Sequence, residues 1–179
     1  MMDDGATTGL VPVIITKRLK LRGWRLEDAE PLTRLYEDPD ARFLGGTGDF
    51  ARAWRVMAME VGHWVLRGYG MWAVERLDTR EFAGLCGLWH PGDWKELELG
   101  WSIVPTQRGQ GFATEAAKAG RNYAYRVLNA TSLVSYIDPD NIRSIRVAER
   151  LNCLREEPIE ISGKTCLVYR HPQPQAGQP

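Results

Sequence analysis

Residues 98–116, ELGWSIVPTQRGQGFATEA, join a strand to a helix through a loop that contains two glycines. Apolar residues alternate along the strand and Pro105 ends it, while the alanine-rich run after Gly111 has helical spacing. One face of that predicted helix is expected to lie close to a sheet because its residues are mostly small: Ala113, Ala116, Ala117, Gly120, Ala124 and Val127. Glycines let the loop curl with its N–H groups turned inward, beside the positive end of the helix dipole. The stretch therefore predicts an anion site large enough for a diphosphate.

Two well-known phosphate-binding signatures do not fit this loop. Thr114 stands where G-x-G-x-x-G needs its third glycine, and no Gly-Lys-Ser/Thr follows as a P-loop requires. An ordinary strand-to-helix turn remains the alternative for these residues alone.

The remaining periodicities predict one mixed α/β (α+β) sheet layered by helices, because the elements do not alternate as in a doubly wound fold. In the second predicted helix, a stripe formed by Trp54, Met57, Ala58, Val61, Trp64 and Val65 is predicted to face the core. Seven strands are predicted, at residues 18–24, 71–77, 81–90, 96–104, 132–138, 154–161 and 164–170. Four helices are predicted, at residues 26–39, 54–65, from about 112, and 141–151.

Composition narrows the classes of function. Lys plus Arg equals Asp plus Glu at 23 each, which does not favour a nucleic-acid or membrane partner. No stretch reaches the roughly 20 apolar residues of a membrane span. The three cysteines form no C-x-x-C pair, which predicts reduced thiols in a cytoplasmic protein. We expect one domain over residues 17–170, an N-terminal extension at residues 1–16 and a disordered tail at residues 171–179.

Three segments in order resemble the GNAT superfamily of acetyl-CoA-dependent N-acetyltransferases, in the branch with ribosomal-protein alanine acetyltransferases. They are TKRLKLRGWRLEDAEPLTRLYEDP (16–39), ELGWSIVPTQRGQGFATEA (98–116) and DPDNIRSIRVAERL (138–151). The resemblance covers nearly the whole chain. It implies the GNAT fold, with a mostly antiparallel sheet of about seven strands, four helices and a splayed parallel strand pair.

The resemblance also implies the residues that hold acetyl-CoA. Ile103 and Val104 would pair with the pantetheine arm, and Asn141 would bond its amide groups. The diphosphate would be held by the backbone amides of Arg108, Gly109, Gln110, Gly111, Phe112 and Ala113. No metal is implied.

The sequence offers several candidates for the catalytic residues. Glu98 is the first candidate for the base and His90 the second, because amine acetylation needs a deprotonated nucleophile. A backbone N–H near Val104 would meet the developing oxyanion. Ala148 stands where many relatives carry a general-acid Tyr, and Ser144 is the candidate that would bond the leaving thiolate instead.

Several alternatives stay open at this level. One is a Cys nucleophile paired with a histidine, and another is a non-catalytic acetyl-CoA-binding module. Glu115, in the first turn of its helix, is interpreted as structural. The tryptophans are expected in the core, with Trp94 the one that touches substrate. The amine acceptor, a protein N-terminus or a small molecule, is not specified, and a homodimer is plausible.

Overall fold

One eight-stranded sheet runs through residues 9–174, the part of the chain that the computed structural model describes. The strand order is β1-β2-β3-β4-β5-β6-β8-β7, and every pairing is antiparallel except that of β5 with β6. The strands are β1 (Ile14–Ile15), β2 (Leu19–Arg22), β3 (Met71–Arg76), β4 (Phe82–Trp89), β5 (Glu98–Ile103), β6 (Val134–Ile137), β7 (Leu154–Ile161) and β8 (Lys164–Arg170). The helices are α1 (Ala29–Glu37), α2 (Phe50–Arg67), α3 (Phe112–Arg126) and α4 (Ile142–Arg150), with 3-10 turns at Leu26–Asp28, Pro39–Leu44 and Pro105–Gln107.

The mixed sheet, its single parallel pair and the four α-helices confirm the predicted fold class. The strand count is eight because β1 forms inside the segment predicted as an N-terminal extension. Ile14 pairs with Leu21, and Val11 is buried in the core. Residues 1–8 of that predicted extension lie outside the described residues.

The chain remains folded past the predicted end of the domain. His171, placed in the tail by its composition, is 2% exposed, and its backbone N–H donates to the carbonyl of Leu133 at 2.9 Å. Burial of a side chain beyond the last strand leaves no mark in local composition, so this boundary was not visible in the sequence. Residues 175–179 of the predicted tail are outside the described part of the chain.

Helices cover both faces of the sheet. α1 and α2 pack on the face that carries Ala73 and Leu85, and α3 and α4 pack on the face that carries Leu99 and Ile103. The latter two residues alternate along β5 as predicted. Alternate residues of each central strand therefore belong to different cores.

The predicted apolar stripe of α2 is wrong in part, because Met57 and Trp64 are buried as predicted but Trp54, Ala58 and Val65 are exposed. Trp54 and Val65 are 46% and 63% exposed. The buried face instead carries Ala53, Met57, Glu60, His63 and Trp64. These spacings of four and three are as helical as the predicted ones, and the true face includes a carboxylate that a search for apolar residues passes over.

α3 lies close to the sheet because its inner face is made of small residues. Ala116, Ala117 and Gly120 are buried there, as predicted. A Cβ added at Gly120 would come within 2.9 Å of Leu99 Cδ1, so the helix could not keep this distance with a larger residue. The close approach fixes α3, and with it the loop before it, against β5.

β5 and β6 separate after one backbone pair. Glu98 pairs with Val134, and Val134 N donates to Leu97 O at 3.1 Å. At the next position the amide of Tyr136 points to the Glu98 side chain, at 3.4 Å from its Oε1, instead of to a backbone carbonyl. The predicted splayed parallel pair is thus present, and it opens the sheet at its centre.

Gly84 allows β4 to follow β5 up to this opening. Its φ is 149°, and an added Cβ would lie 2.0 Å from the carbonyl oxygen of Ser102. We predict that Gly84→Ala lowers the free energy of unfolding by about 1–3 kcal/mol, the usual cost of overpacking. Denaturant unfolding measures this change. Gly92→Ala, where an added Cβ meets nothing within 4 Å, is the matched control, and equal stability of the two variants would contradict the assignment.

Candidate active site

A cleft of about 1270 Å³ opens where β5 and β6 separate. Its walls come from both strands, from α1 and α2 on one side, and from the glycine loop with α3 and α4 on the other. Of the residues predicted to bind the cofactor, seven line it: Ile103, Arg108, Gly109, Gly111, Phe112, Ala113 and Asn141. Both predicted catalytic residues, Glu98 and Ser144, line the same cleft.

Glu98 lies at the point of separation. Trp94 Nε1 donates to its Oε2 at 2.7 Å, and the amide of Tyr136 approaches its Oε1. Burial raises the pKa of Glu98 to about 7, although these two hydrogen bonds favour the ionised form. A carboxyl group that titrates near neutral pH can both accept and release a proton under ordinary conditions.

The glycine loop has the conformation that its composition predicts. Gly109 and Gly111 have φ of 78° and 81°, a region that side chains disfavour. The first helical hydrogen bond of α3 runs from Glu115 N to Gly111 O, so the amides of Phe112, Ala113 and Thr114 have no acceptor within the helix. These N–H groups, at the positive end of the helix, form a site for an anion.

The side chains of the loop point away from that anion site. Arg108 Nε donates to Ile103 O at 3.0 Å, and its guanidinium pairs with Asp38 and Asp40 in the turn after α1. The Arg108 side chain therefore fastens the loop to the α1 side of the cleft. Any bond from Arg108 to a diphosphate would come from its backbone, as the resemblance implies.

The free edge of β5 is formed by Ile103 and not by Val104. Val104 N donates to Ala83 O on β4 at 3.0 Å, so that N–H is not available to the cleft. Because N–H groups alternate in direction along a strand, the N–H groups of Trp101 and Ile103 point to the side from which β6 has separated. The backbone N–H predicted near Val104 to meet the oxyanion would therefore be that of Ile103.

The start of α4 faces the opposite wall. Asn141 caps the helix, with its Oδ1 accepting from Ser144 N at 3.2 Å, which leaves the amide NH₂ for other partners. Ser144 is half-buried, and its hydroxyl has no hydrogen-bond partner within residues 9–174. Ala148 is fully buried against β6 and β8.

Sequence reasoning missed Tyr136, which stands on β6 directly beyond the split. Its ring lies 6.1 Å from that of Trp94, and its buried hydroxyl has no hydrogen-bond partner in the described part of the chain. Burial raises the pKa of Tyr136 to about 12, with a further contribution from the charges of Glu96 and Glu98. The hydroxyl therefore stays protonated and can donate a hydrogen bond. In the sequence, nothing distinguishes Tyr136 from any other tyrosine on a strand. Only its position beside the separation of β5 and β6 does so.

The other two candidate residues, His90 and Glu115, make structural contacts. His90 is not among the residues that line the cleft, and its backbone N–H donates to His63 Nε2 at 3.1 Å. Glu115 accepts from Thr16 Oγ1 at 2.6 Å and from Arg18 N at 2.8 Å. It therefore ties α3 to the start of β2, in agreement with the structural interpretation.

A Cys-His pair exists, but its chemistry is wrong for a nucleophile. Cys153 Sγ lies 3.2 Å from His171 Nδ1, while His171 Nε2 lies 2.9 Å from Ser135 Oγ. Burial raises the pKa of the Cys153 thiol to about 12 and lowers that of His171 to about 3, so neither carries the charge that nucleophilic catalysis needs. Ser135 in turn donates to Leu99 O at 2.5 Å, so the group holds β6 beside β5.

The residues present fit coenzyme A. An added Cβ at Gly109 would meet nothing within 4 Å, so the open space lies directly above the backbone that would hold the diphosphate. The free edge of β5 leads from this loop to Glu98, and the separation of β5 from β6 would admit a pantetheine arm. Within residues 9–174 no helix is long and apolar enough to cross a bilayer.

Comparison with known proteins agrees with this geometry. Residues 18–153 match the family model described as acetyltransferase (GNAT) domain. The chain is 30% identical over 167 residues to the uncharacterized protein YkkB of Bacillus subtilis, covering 87% of this chain and 93% of that protein. A crystal structure of an acetyltransferase from Agrobacterium tumefaciens shares 33% identity at a TM-score of 0.83, over 90% of this chain and 95% of that one.

The fold also extends to the branch expected from the sequence. RimL, a ribosomal L7/L12 alpha-N-protein acetyltransferase, has a TM-score of 0.72 at 17% identity, over 90% of this chain and 93% of that chain. Such a likeness concerns the fold, while the family model and the relative at 30% identity cover most of the sequence. The chain therefore belongs to the GNAT family of acetyltransferases.

Proposed function

We propose that the protein transfers the acetyl group of acetyl-CoA to a primary amine by direct attack within a ternary complex. The observation that carries the proposal is the position of Glu98, a carboxyl with a pKa raised to about 7 at the split between β5 and β6. Acetyl-CoA supplies the activated acetyl group. The diphosphate is held by the amides of residues 108–113, and Asn141 donates to the pantetheine arm.

Glu98 acts as the general base, directly or through water. A lysine-like amine has a pKa near 10.4 and an α-amine near 8, so the acceptor arrives largely protonated at neutral pH. A carboxylate of pKa about 7 is a stronger base than an ordinary carboxylate, and Trp94 holds one of its oxygens in place.

The free N–H of Ile103 stabilises the negative charge that develops on the carbonyl oxygen under attack. On the leaving side, a thiol of pKa near 8.5 departs as thiolate without an obligatory acid. Ser144 and Tyr136 line the cleft with hydroxyls that have no hydrogen-bond partner among residues 9–174, and either would donate to that sulfur. The absence of a Tyr at Ala148 is thereby offset.

The acceptor is either a protein N-terminal α-amine or a small-molecule amine. A second candidate function, a non-catalytic acetyl-CoA-binding module, is favoured by Ala148. Release of free thiol from acetyl-CoA, measured over a panel of peptides and small amines, separates the two. Turnover of any amine excludes the module, and binding of acetyl-CoA without turnover excludes the enzyme.

Removal of the proposed base tests its role. Glu98→Gln is expected to lower kcat by about 10²–10⁴-fold, the usual contribution of general acid–base catalysis, and to leave acetyl-CoA affinity unchanged. The rise of kcat/KM through pH 7 should disappear, and the deficit should shrink at high pH, where free amine accumulates. Glu157→Gln, an exposed carboxylate on β7, is the matched control. A wild-type pH profile in Glu98→Gln would rule Glu98 out.

The indole of Trp94 should set the pH at which the enzyme becomes active. Its N–H donates to the carboxylate form of Glu98 and so lowers the pKa of that group. Trp94→Phe removes this donor, and the acid limb of the kcat/KM profile should move to higher pH. A limb that stays in place, or moves to lower pH, would mean that Glu98 is not the group that titrates.

The loop is tested by a pair of glycine substitutions that share one backbone conformation. Gly109→Ala and Gly163→Ala both place a Cβ at a φ near 75°, and neither Cβ meets another atom within 4 Å. Each should lose about 1–2 kcal/mol of stability to backbone strain. Only Gly109→Ala should also raise the KM for acetyl-CoA, by about tenfold or about 1.4 kcal/mol. Equal KM values for the two variants would place the diphosphate elsewhere.

A further inference from the structure

A second carboxyl group lines the cleft on the α2 wall. Glu60 is 4% exposed, and its Oε2 is buried with no hydrogen-bond partner in the described residues. An unpaired buried carboxyl is costly, and the proposed chemistry makes no use of it. Its orientation into the cleft suggests a partner that arrives with the substrate.

The charged and titratable groups near Glu60 do not supply that partner. Arg52 lies two helical turns earlier on the same face of α2, where its guanidinium stacks 5.1 Å from the Tyr36 ring centroid and donates to Leu44 O. Tyr36 from α1 senses the charge of Glu60 but gives it no hydrogen bond, and the pKa of Tyr36 is raised to about 12. Burial alone raises the pKa of Glu60, to about 8, with no shift from a neighbouring charge.

The wall around this carboxyl is apolar and polarisable. Trp89 stands directly across from Glu98 in the sheet, so both side chains project to the face that α1 and α2 cover. On the same side the cleft is lined by Val56, Met59, Met71, Leu85 and Phe43. Methylene groups and alkylammonium ions pack well on such a surface, since aromatic faces attract cations.

We propose that Glu60 binds a second protonated amino group of the acceptor, so that the preferred substrates are diamines joined by a methylene chain. This inference rests on the proposed function, because one amine is acetylated near Glu98 while the other is held by Glu60. An ammonium group offers three N–H donors to the unpaired carboxyl. A monoamine leaves Glu60 without a partner.

The exchange of protons is balanced. Before binding, Glu60 is largely protonated at pH 7 because of its raised pKa. An alkylammonium of pKa near 10.4 keeps its proton, so Glu60 releases its own to solvent and becomes the carboxylate of an ion pair. Binding of a diamine at pH 7 therefore releases close to one proton per site.

The test compares diamines of increasing length, from ethylenediamine to hexamethylenediamine, with the monoamines of equal chain length. In the wild type the best diamine should exceed its matched monoamine by roughly 10–100-fold in kcat/KM, the range of one hydrogen bond to a charged group. Glu60→Gln should bring that ratio close to one through a higher KM for the diamine. Glu30→Gln, an exposed carboxylate on α1, should keep the wild-type ratio.

The outcomes separate this inference from the proposed function. Turnover of monoamines with no diamine preference, or a preference that survives in Glu60→Gln, overturns the role of Glu60 and leaves the acetyltransferase reaction standing. Failure of every amine to be acetylated overturns the proposed function instead. Calorimetry of 1,4-diaminobutane binding in two buffers of different ionisation enthalpy then decides on Glu60, because the wild type must release close to one proton more than Glu60→Gln, whereas release from Glu98 is common to both.

The same variant should fold, since Gln matches the neutral carboxyl in shape. A pKa raised from the usual 4.5 to about 8 means that the folded state binds the proton more tightly than the unfolded state. The wild type should therefore lose more stability than Glu60→Gln as pH rises from about 5 to 8, because the loss caused by Glu98, whose pKa is also raised, is common to both proteins. Parallel pH dependence of the unfolding midpoints in the two proteins would show that Glu60 is not buried as a neutral acid.

Discussion

A single backbone pair, Glu98 with Val134, holds β5 against β6, and the separation beyond it makes room for every other feature of the site. Adjacent strands normally continue their hydrogen-bond ladder, so side-chain contacts must fix the positions of β5 and β6 where the ladder stops. Ser135 binds Leu99 O, and His171 beyond β8 orients Ser135 from behind. A ligand with amide groups of its own would complete the ladder at these unpaired strand edges.

The same separation explains the electrostatics of the site. Glu98 lies where β5 and β6 are no longer paired but are still surrounded by apolar residues. Burial raises its pKa more than the two hydrogen bonds lower it, so the carboxyl titrates near neutral pH. The helix end at Gly111 attracts negative charge, whereas Glu60 and Glu98 attract positive charge on the other side of the sheet. A cleft that favours negative charge at one end and positive charge at the other suits an anionic cofactor and a cationic acceptor.

Local patterns were enough to predict the strand, the glycine loop and the helix on one side of the cleft. The alternation through Ile103, the two loop glycines and the small face of α3 are all short-range features, and each is present as predicted. The acceptor side depends on which face of α2 turns inward, and two faces had similar spacing. Choosing the apolar one placed Trp54 inside and overlooked Glu60. The N–H of Val104 is bonded to β4, whereas that of Ile103 is free. Which of the two is free follows only from the register of β5 with β4.

The most direct measurement is a crystal structure of the protein with coenzyme A bound. The account predicts the diphosphate on the amides between Arg108 and Ala113, the pantetheine arm along the free edge of β5, and the sulfur between the two strands beside Glu98. Coenzyme A bound outside this cleft, or a sulfur on the far side of β6 from Glu98, would contradict it.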